Sequence, residues 1–168
     1  MGSLKRDQIR QYLVIFYRFG SDAKRKAENE FDGSGGLHGA GRWHIKGRRI
    51  VYGATSEALG LLEKLVHRPS SGPVIYPLYH ADIPDHLVES LAERDLPPDW
   101  RAIYPPISTQ RMGDQWLQTR KALVLLVPSV LITGGDGSRN CILNPEHQEF
   151  VNITLSGPTI VPVDTRFL

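Results

Sequence analysis

Apolar segments and amphipathic helical segments are mixed along the sequence without a regular strand–helix–strand period. Apolar and β-branched runs that predict strands occur at 12–20, 49–54, 71–84, 122–130 and 159–168. Patterns that predict helices occur at 55–68, at 86–95 and from Ser108 through Trp116. A doubly wound parallel sheet needs a helix after nearly every strand, so this order favours a mixed α+β domain.

The chain length limits how many cores can form. With 168 residues, of which 40% are hydrophobic, the chain can bury one core but is too short for two comfortable domains. We therefore expect a single domain over 1–168, with 1–11 as a flexible N-terminus. No apolar run approaches the roughly 20 residues that cross a bilayer, and the N-terminus lacks the apolar region of a signal peptide. These features predict a cytoplasmic protein.

Charge and motif content exclude several function classes. Twenty basic and 18 acidic residues leave a net charge of +2, which is too small to indicate nucleic-acid binding by itself. The sequence has neither a Walker-type glycine loop nor a G-x-S-x-G motif. Its six histidines show no metal-ligand spacing with the single cysteine, Cys141, so we expect no metal site. Any function that depends on positive charge must therefore come from a local cluster of basic residues.

Four arginines in the first third of the chain lie at predicted strand ends or beside glycines. They are Arg18, Arg42, Arg48 and Arg49. A guanidinium group can bind a phosphate through two parallel hydrogen bonds, and neighbouring glycines let the backbone approach the ligand. The polar, glycine-rich segment 21–41 predicts a mobile loop with no more than a helical turn. An anion site is one interpretation of these arginines, and scattered surface charge is the other.

The predicted helix over 55–68 carries Glu63 on its apolar side. A carboxylate in that position is costly unless it is paired, and an arginine from the preceding loop would satisfy it. Such a group can bind a ribose hydroxyl or stabilise an oxocarbenium ion during glycosidic bond cleavage. The alternative is a boundary residue that pairs with Lys64 or Arg68.

Two further sets of residues have both a functional and a structural interpretation. Trp43 and Tyr52 offer flat rings for stacking on nicotinamide or adenine, although an aromatic residue near a strand more often belongs to the core. Ser108 either caps the helix that follows it or meets a diphosphate at the start of that helix.

Seven short motifs resemble, in this order, those of the RES domain family. They are Tyr17-Arg18, the GRW of 41–43 with its following strand, SEALGLLE at 56–63, STQRMGDQWL at 108–117, VPSV at 127–130, N-x-x-x-NPEH at 140–147 and VDTRFL at 163–168. The resemblance spans about 17–168. It implies a toxin of a bacterial toxin–antitoxin pair, with a fold related to ADP-ribosyltransferase toxins and a split mixed sheet with flanking helices.

The resemblance also implies an activity and a set of site residues. NAD would be the substrate, and cleavage of its nicotinamide–ribose bond would deplete it by hydrolysis or phosphorolysis. The family arginine falls on Arg18, the glutamate on Glu63 and the serine on Ser108, with Ser129 as the second candidate for the serine. The family pattern adds two further pocket positions, which are Arg42 and Tyr52.

Two alternative functions stay open: the first follows from the same resemblance, and the second follows from the cationic loop alone. A protein mono-ADP-ribosyltransferase that modifies a host metabolic enzyme is the first alternative, and a non-enzymatic module that binds RNA or a protein partner is the second. The family implies an Xre-type helix-turn-helix antitoxin as partner, with a homodimer of the toxin within that complex. We expect contact with neither a membrane nor, for the enzyme, nucleic acid.

Overall fold

The computed structural model describes residues 12–67, 75–132, 137–164 and 166. The described residues form seven strands and three α-helices, joined by loops and short 3₁₀ turns. The strands are β1 (Leu13–Phe19), β2 (Val51–Ala54), β3 (Ile75–Pro84), β4 (Val88–Ser90), β5 (Val124–Val127), β6 (Asn140–Leu143) and β7 (Thr154–Pro162). The helices are α1 (Ala27–Glu30), α2 (Glu57–Val66) and α3 (Ile107–Thr119). The expected flexible segment 1–11 lies outside the described residues, as do positions 165, 167 and 168 of the C-terminal motif.

All seven strands belong to one sheet, in the order β4-β5-β6-β2-β1-β3-β7. The β4–β5 pair is parallel and every other pair is antiparallel. Antiparallel neighbours need no crossover helix, which explains why the sequence lacks a regular strand–helix period. The predicted α+β class with a mixed sheet and flanking helices is confirmed.

The sheet is nearly divided between β1 and β2. These two strands are joined by a single registered pair, Tyr17 with Ala54, whereas β1 and β3 pair along seven positions. Helix α2 packs against both β1 and β2, with Gly60 facing Phe19 of one strand and Ala54 of the other. We call this junction the seam. The expected split is thus present only as a weak junction within one continuous sheet, and α2 is the element that covers it.

Buried aromatic side chains hold the elements on the sheet. Phe16 and Phe31 pack together with ring centroids 5.7 Å apart, and this contact attaches the α1 segment to β1. Trp43 and Trp116 belong to a second cluster that joins the loop before β2 to α3. The loop and α3 approach so closely that a Cβ on Gly113 would overlap the backbone of Trp43.

Three expectations about elements are corrected. Residues 86–95 are not a helix: they contain β4 between two 3₁₀ turns, because Val88–Ser90 pairs with β5. The final strand, β7, ends at Pro162 and begins earlier than expected, at Thr154. Segment 21–41 contains α1 and a 3₁₀ turn at Ser34–Leu37, and it buries Glu30.

Candidate active site

Helix α2 places Glu63 near the seam of the sheet. The helix begins after Ser56, whose hydroxyl caps it by accepting a hydrogen bond from the Leu59 amide at 3.3 Å. Two turns later Glu63 is half-buried. Its Oε1 atom accepts a hydrogen bond from Ser129 Oγ at 3.1 Å and another from Asn140 Nδ2 at 2.6 Å. Within the described part of the chain Glu63 forms no ion pair, so a hydroxyl and an amide satisfy it instead of the expected arginine.

Ser129 and Asn140 reach Glu63 from neighbouring strands. Asn140 begins β6 and is paired in register with Val127, the last residue of β5, and Ser129 follows that residue by two positions. Buried Ser129 also accepts hydrogen bonds from the amides of Leu131 at 3.0 Å and Ile132 at 3.4 Å, which fix its hydroxyl. We call Glu63, Ser129 and Asn140 the Glu63 cluster.

Arg18 lies at the C-terminal end of β1, where β1 and β2 diverge. Its Nε donates to Glu30 Oε1 at 2.9 Å, and its Nη1 donates to the backbone carbonyl of Tyr52 at 2.9 Å. Burial lowers the pKa of Arg18, and the charge of Glu30 opposes that shift. Because an arginine does not deprotonate in a protein, the group stays cationic. Arg18 thus connects β1 to β2 beside the seam.

A second arginine lies against the same carboxylate. Arg25 Nε is 3.7 Å from Glu30 Oε2, and Arg25 Nη2 is 3.4 Å from Asp32 Oδ2. The side chain of Glu30 is only 4% exposed, whereas that of Arg25 is 39% exposed. Buried Glu30 therefore serves both arginines, and Asp32 supplies a second carboxylate to Arg25, so the charges of this group balance.

Arg18 and Tyr52 line a cavity of about 430 Å³, which we call the Arg18 cavity. Its wall consists of charged residues, the glycine-rich segment and three residues of the loop and strand that follow. The lining residues are Arg18, Arg25, Glu30, Asp32, 33–36, 38–40, His44, Ile50 and Tyr52. Glu63, Arg42 and the two serines do not line it. Of the predicted set, Arg18 and Tyr52 line the Arg18 cavity, Glu63 and Ser129 belong to the Glu63 cluster, and Arg42 and Ser108 belong to neither.

Arg42 links the two parts electrostatically. Its Nη1 donates to the Trp100 carbonyl at 2.7 Å, and its Nη2 donates to the carbonyls of Ala102 and Ile103 at 2.8 and 3.4 Å. Burial lowers the pKa of Arg42, while the charge of Glu63 raises it. Arg42 thus holds segment 100–103 in place and keeps its positive charge in the field of Glu63.

Tyr52 is fixed through both its backbone and its hydroxyl. The hydroxyl accepts from the Trp43 amide at 3.0 Å and lies 2.8 Å from His44 Nδ1. His44 Nε2 lies 2.9 Å from the Gly39 carbonyl, which can only accept, so Nε2 carries the proton and Tyr52 donates to Nδ1. Burial lowers the pKa of His44 and raises that of Tyr52, so both groups are neutral at pH 7.

Ser108 lies apart from the Glu63 cluster in its contacts. It is the second residue of α3, whose N-cap is Pro106, so Ser108 does not cap the helix as one interpretation held. Its hydroxyl donates to Asp99 Oδ1 at 2.6 Å. The serine that the described contacts bring to Glu63 is Ser129, the second candidate from the sequence.

The remaining arginines of the predicted anion site have local partners. Arg48 forms a two-point salt bridge with Asp114 of α3, through Nε to Oδ1 and through Nη2 to Oδ2. The exposed Arg49 donates to the Asp32 carbonyl at 2.9 Å. These two contacts attach the loop before β2 to its neighbours, and neither arginine touches Glu63.

Sequence reasoning missed Glu30 and gave no role to Asn140. The signal for Glu30 was local: Ala27 and Phe31 lie four residues apart, which places both on one side of a helical turn and Glu30 beside them. Asn140 appeared only as part of a motif. Its contact with Glu63 spans 77 residues, and nothing in its own sequence neighbourhood indicates that contact.

Metal-ligand groups and membrane-spanning helices are both absent from the described residues. In that part of the chain, no three or more histidine, cysteine, aspartate or glutamate residues are grouped as metal ligands would be. No helix there is long and apolar enough to cross a bilayer.

Comparison with known proteins identifies the family. The RES domain model matches residues 15–164. Toxin Res of Yersinia enterocolitica is 34% identical over 128 residues, covering 76% of this chain and 82% of that protein. Prs ADP-ribosylating toxin of Sphingobium sp. is 33% identical over 138 residues, covering 80% of this chain and 84% of that protein.

A solved structure has the same fold. A chain of the M. tuberculosis MbcT-MbcA toxin-antitoxin complex matches with a TM-score of 0.68 at 18% identity, covering 91% of this chain and 85% of that chain. The match confirms the expected toxin fold. Together with the family model and the curated relatives, it leads to one conclusion: the chain belongs to the RES domain family of toxins.

Proposed function

We propose that this protein is a toxin that depletes NAD by cleaving the nicotinamide–ribose bond. The observation that carries the proposal is the Glu63 cluster: a half-buried carboxylate is held by two neutral donors and lies in the field of Arg42. A fixed carboxylate of this kind stabilises positive charge that develops on a sugar. The Arg18 cavity supports the same proposal, because it exposes the guanidinium of Arg18, a group that can bind a phosphate through parallel hydrogen bonds.

Arg18 is the residue we assign to the diphosphate. Its Nε and Nη1 are engaged, and within the described residues Nη2 has no acceptor, so one edge of the guanidinium remains for a phosphate. The Tyr52 ring lines the same cavity and would flank the nicotinamide. Both terminal nitrogens of Arg42 donate to backbone carbonyls. We therefore assign Arg42 an electrostatic role beside Glu63.

Glu63 would act on the nicotinamide ribose. As the bond from ribose C1′ to the nicotinamide nitrogen breaks, its electron pair leaves with the nicotinamide, which changes from cationic to neutral. The positive charge moves to C1′ and the ring oxygen, where the carboxylate offsets it. Water or phosphate then bonds to C1′, and where water is the acceptor its proton passes to solvent. We assign the family serine role to Ser129, because this residue orients Glu63.

The direct test is nicotinamide release from NAD by the purified full-length chain, with and without added phosphate. We expect release by the wild type and its loss in Glu63→Gln, which keeps the shape of the side chain and removes its charge. Glu57→Gln is the matched control, because Glu57 is an exposed glutamate in the first turn of the same helix. A folded wild type that releases no nicotinamide under either condition would refute the proposal.

Transfer of ADP-ribose to a protein is the second candidate. It is favoured by the relative named Prs ADP-ribosylating toxin. The bond that breaks is the same, and only the acceptor differs. Labelled NAD added to a cell lysate with the toxin separates the two activities, because only transfer to a protein leaves label on a protein band. Glu63→Gln should abolish that labelling.

An antitoxin is the partner we propose. The matching solved structure is a toxin–antitoxin complex, and the family resemblance implies an Xre-type helix-turn-helix protein with a toxin dimer in the complex. Co-expression with the product of the neighbouring gene should suppress toxicity and yield a complex on size-exclusion chromatography.

A non-enzymatic RNA-binding module would instead show strongly salt-dependent RNA binding that Glu63→Gln leaves intact or strengthens.

A further inference from the structure

Asn140 makes one short hydrogen bond through its side chain and leaves the other end of its amide unmatched. Its Nδ2 donates to Glu63 Oε1 at 2.6 Å. Its Oδ1 is buried, and the described residues offer that oxygen no donor. Buried acceptors in folded proteins are nearly always hydrogen-bonded, and an unmatched one costs free energy. This unfavourable feature lies on a residue that contacts Glu63, the proposed catalytic carboxylate.

The orientation of the amide is set by its neighbour. A carboxylate only accepts hydrogen bonds, so the nitrogen of the amide has to face Glu63 and the oxygen has to face away. Reversing the amide would place two acceptors against each other. The unmatched Oδ1 is therefore the consequence of supplying a donor to Glu63.

Both donors to Glu63 use the same carboxylate oxygen. Ser129 and Asn140 donate to Oε1, whereas Oε2 receives no hydrogen bond from the described residues. One oxygen is thus anchored by Asn140 of β6 and by Ser129 just after β5, and the other is left to a ligand. An anchored side chain loses less conformational freedom when substrate binds, which is a form of preorganisation.

We propose that Asn140 is a positioning residue: it anchors Glu63 through Oε1 so that Oε2 faces the nicotinamide ribose. The proposal rests on the function proposed above and adds to it a residue that acts only through Glu63. An amide suits this task because it donates without titrating, so the anchor persists wherever Glu63 is ionised.

The position of Asn140 in the sheet allows the proposal to be tested. Its backbone lies in β6 and is paired on both sides, with Ala54 of β2 and Val127 of β5. Side-chain substitutions leave those ladders unchanged. Asn152→Asp is the matched control, because the exposed Asn152 donates from Nδ2 to Glu149 Oε2 at 2.9 Å, and the substitution creates a similar pair of carboxylates away from the site.

The first variant is Asn140→Asp, which puts a second carboxylate within hydrogen-bond distance of Glu63. Two carboxylates at that distance do not both ionise readily. The acid limb of the pH profile of kcat/KM should therefore move upward by about one pH unit or more. The charge of Arg42, which interacts with that of Glu63, is constant over this range. Asn152→Asp should leave the profile where the wild type has it.

The second variant is Asn140→Ala, which removes the anchor without adding charge. We expect kcat for nicotinamide release to fall about tenfold or more with little change in KM, because Asn140 does not touch the substrate. Asn140→Ser, which keeps a shorter donor, should recover part of the loss. Thermal unfolding of each variant verifies that it is folded. If Asn140→Asp fails to fold, the kcat values of Asn140→Ala and Asn140→Ser test whether Asn140 positions Glu63.

A titration that needs no activity separates this inference from the proposed function. The ¹³C resonance of the Glu63 carboxyl group should titrate with a higher midpoint in Asn140→Asp than in the wild type. If the wild type releases no nicotinamide, the proposed function fails, and this resonance still decides whether Asn140 anchors Glu63. An unchanged midpoint, or wild-type kcat in Asn140→Ala, would overturn the inference.

Discussion

The side chains of Ser129 and Glu63 are joined by a 3.1 Å hydrogen bond across 66 residues of sequence. Sequence reasoning preferred Ser108 for the family serine, and in the structure that residue donates to Asp99. The two serines therefore offer a direct comparison, because each hydroxyl donates to one carboxylate and only one of these carboxylates is Glu63.

Ser129→Ala should lower nicotinamide release about tenfold or more, since a hydrogen bond to a charged group contributes roughly 1.5–3 kcal/mol and about 1.4 kcal/mol is a factor of ten. Ser108→Ala should stay within about twofold of the wild type. Steady-state kinetics on the two purified variants measures both effects. A larger loss of activity in Ser108→Ala than in Ser129→Ala would show that Ser108 has the role of the family serine.

Glu30→Gln should destabilise the fold by roughly 3 kcal/mol, because it removes the buried carboxylate that Arg18 and Arg25 share. Chemical unfolding followed by circular dichroism gives the change in the free energy of unfolding. Glu28→Gln, on the exposed side of the same short helix, serves as the control and should change stability little. Equal effects of the two substitutions would mean that the Arg18–Glu30 pair does not stabilise the fold.

The stability of the protein should decrease as the pH falls below about 6.5, the ordinary pKa of histidine. Burial lowers the pKa of His44 in the folded state, so between its folded and unfolded pKa values the unfolded chain binds more protons. The contribution is present in full above the unfolded value and is lost as the pH falls through the folded one. Urea unfolding between pH 5 and 8 should show a smaller slope in His44→Gln, whereas the exposed His38→Gln should keep the wild-type slope. If the free energy of unfolding changed with pH equally in the wild type and both variants, His44 would be excluded as the cause of the pH dependence.

Gly113→Ala should destabilise the fold by at least about 1–3 kcal/mol, because the added methyl group overlaps the backbone of Trp43. In a helix interior this substitution is otherwise favourable by about 1 kcal/mol, so the sign of the change identifies the steric cause. Gly35→Ala is the control, since its methyl group would meet nothing within 4 Å. A thermal melt of each variant is sufficient, and a more stable Gly113→Ala would contradict the close packing of α3 on this loop.

Local signals predicted the parts of the fold that depend on neighbours in sequence. The apolar pattern over 55–68 identified helix α2 and placed Glu63 on its apolar side. Residues 86–95 have a helical pattern, yet Val88–Ser90 pairs with β5, and this long-range pairing outweighs the local preference. The partners of Glu63 could not be predicted for the same reason, since they lie 66 and 77 residues away.

The seam has a consequence for how ligand binding and rigidity are related. One backbone pair and the bond from Arg18 to the Tyr52 carbonyl connect β1 to β2 in the described structure. An anion bound at Nη2 would share one guanidinium with this cross-strand bond. We therefore expect occupancy of the cavity to change the stiffness of the junction between the two halves of the sheet, with Arg18 as the link.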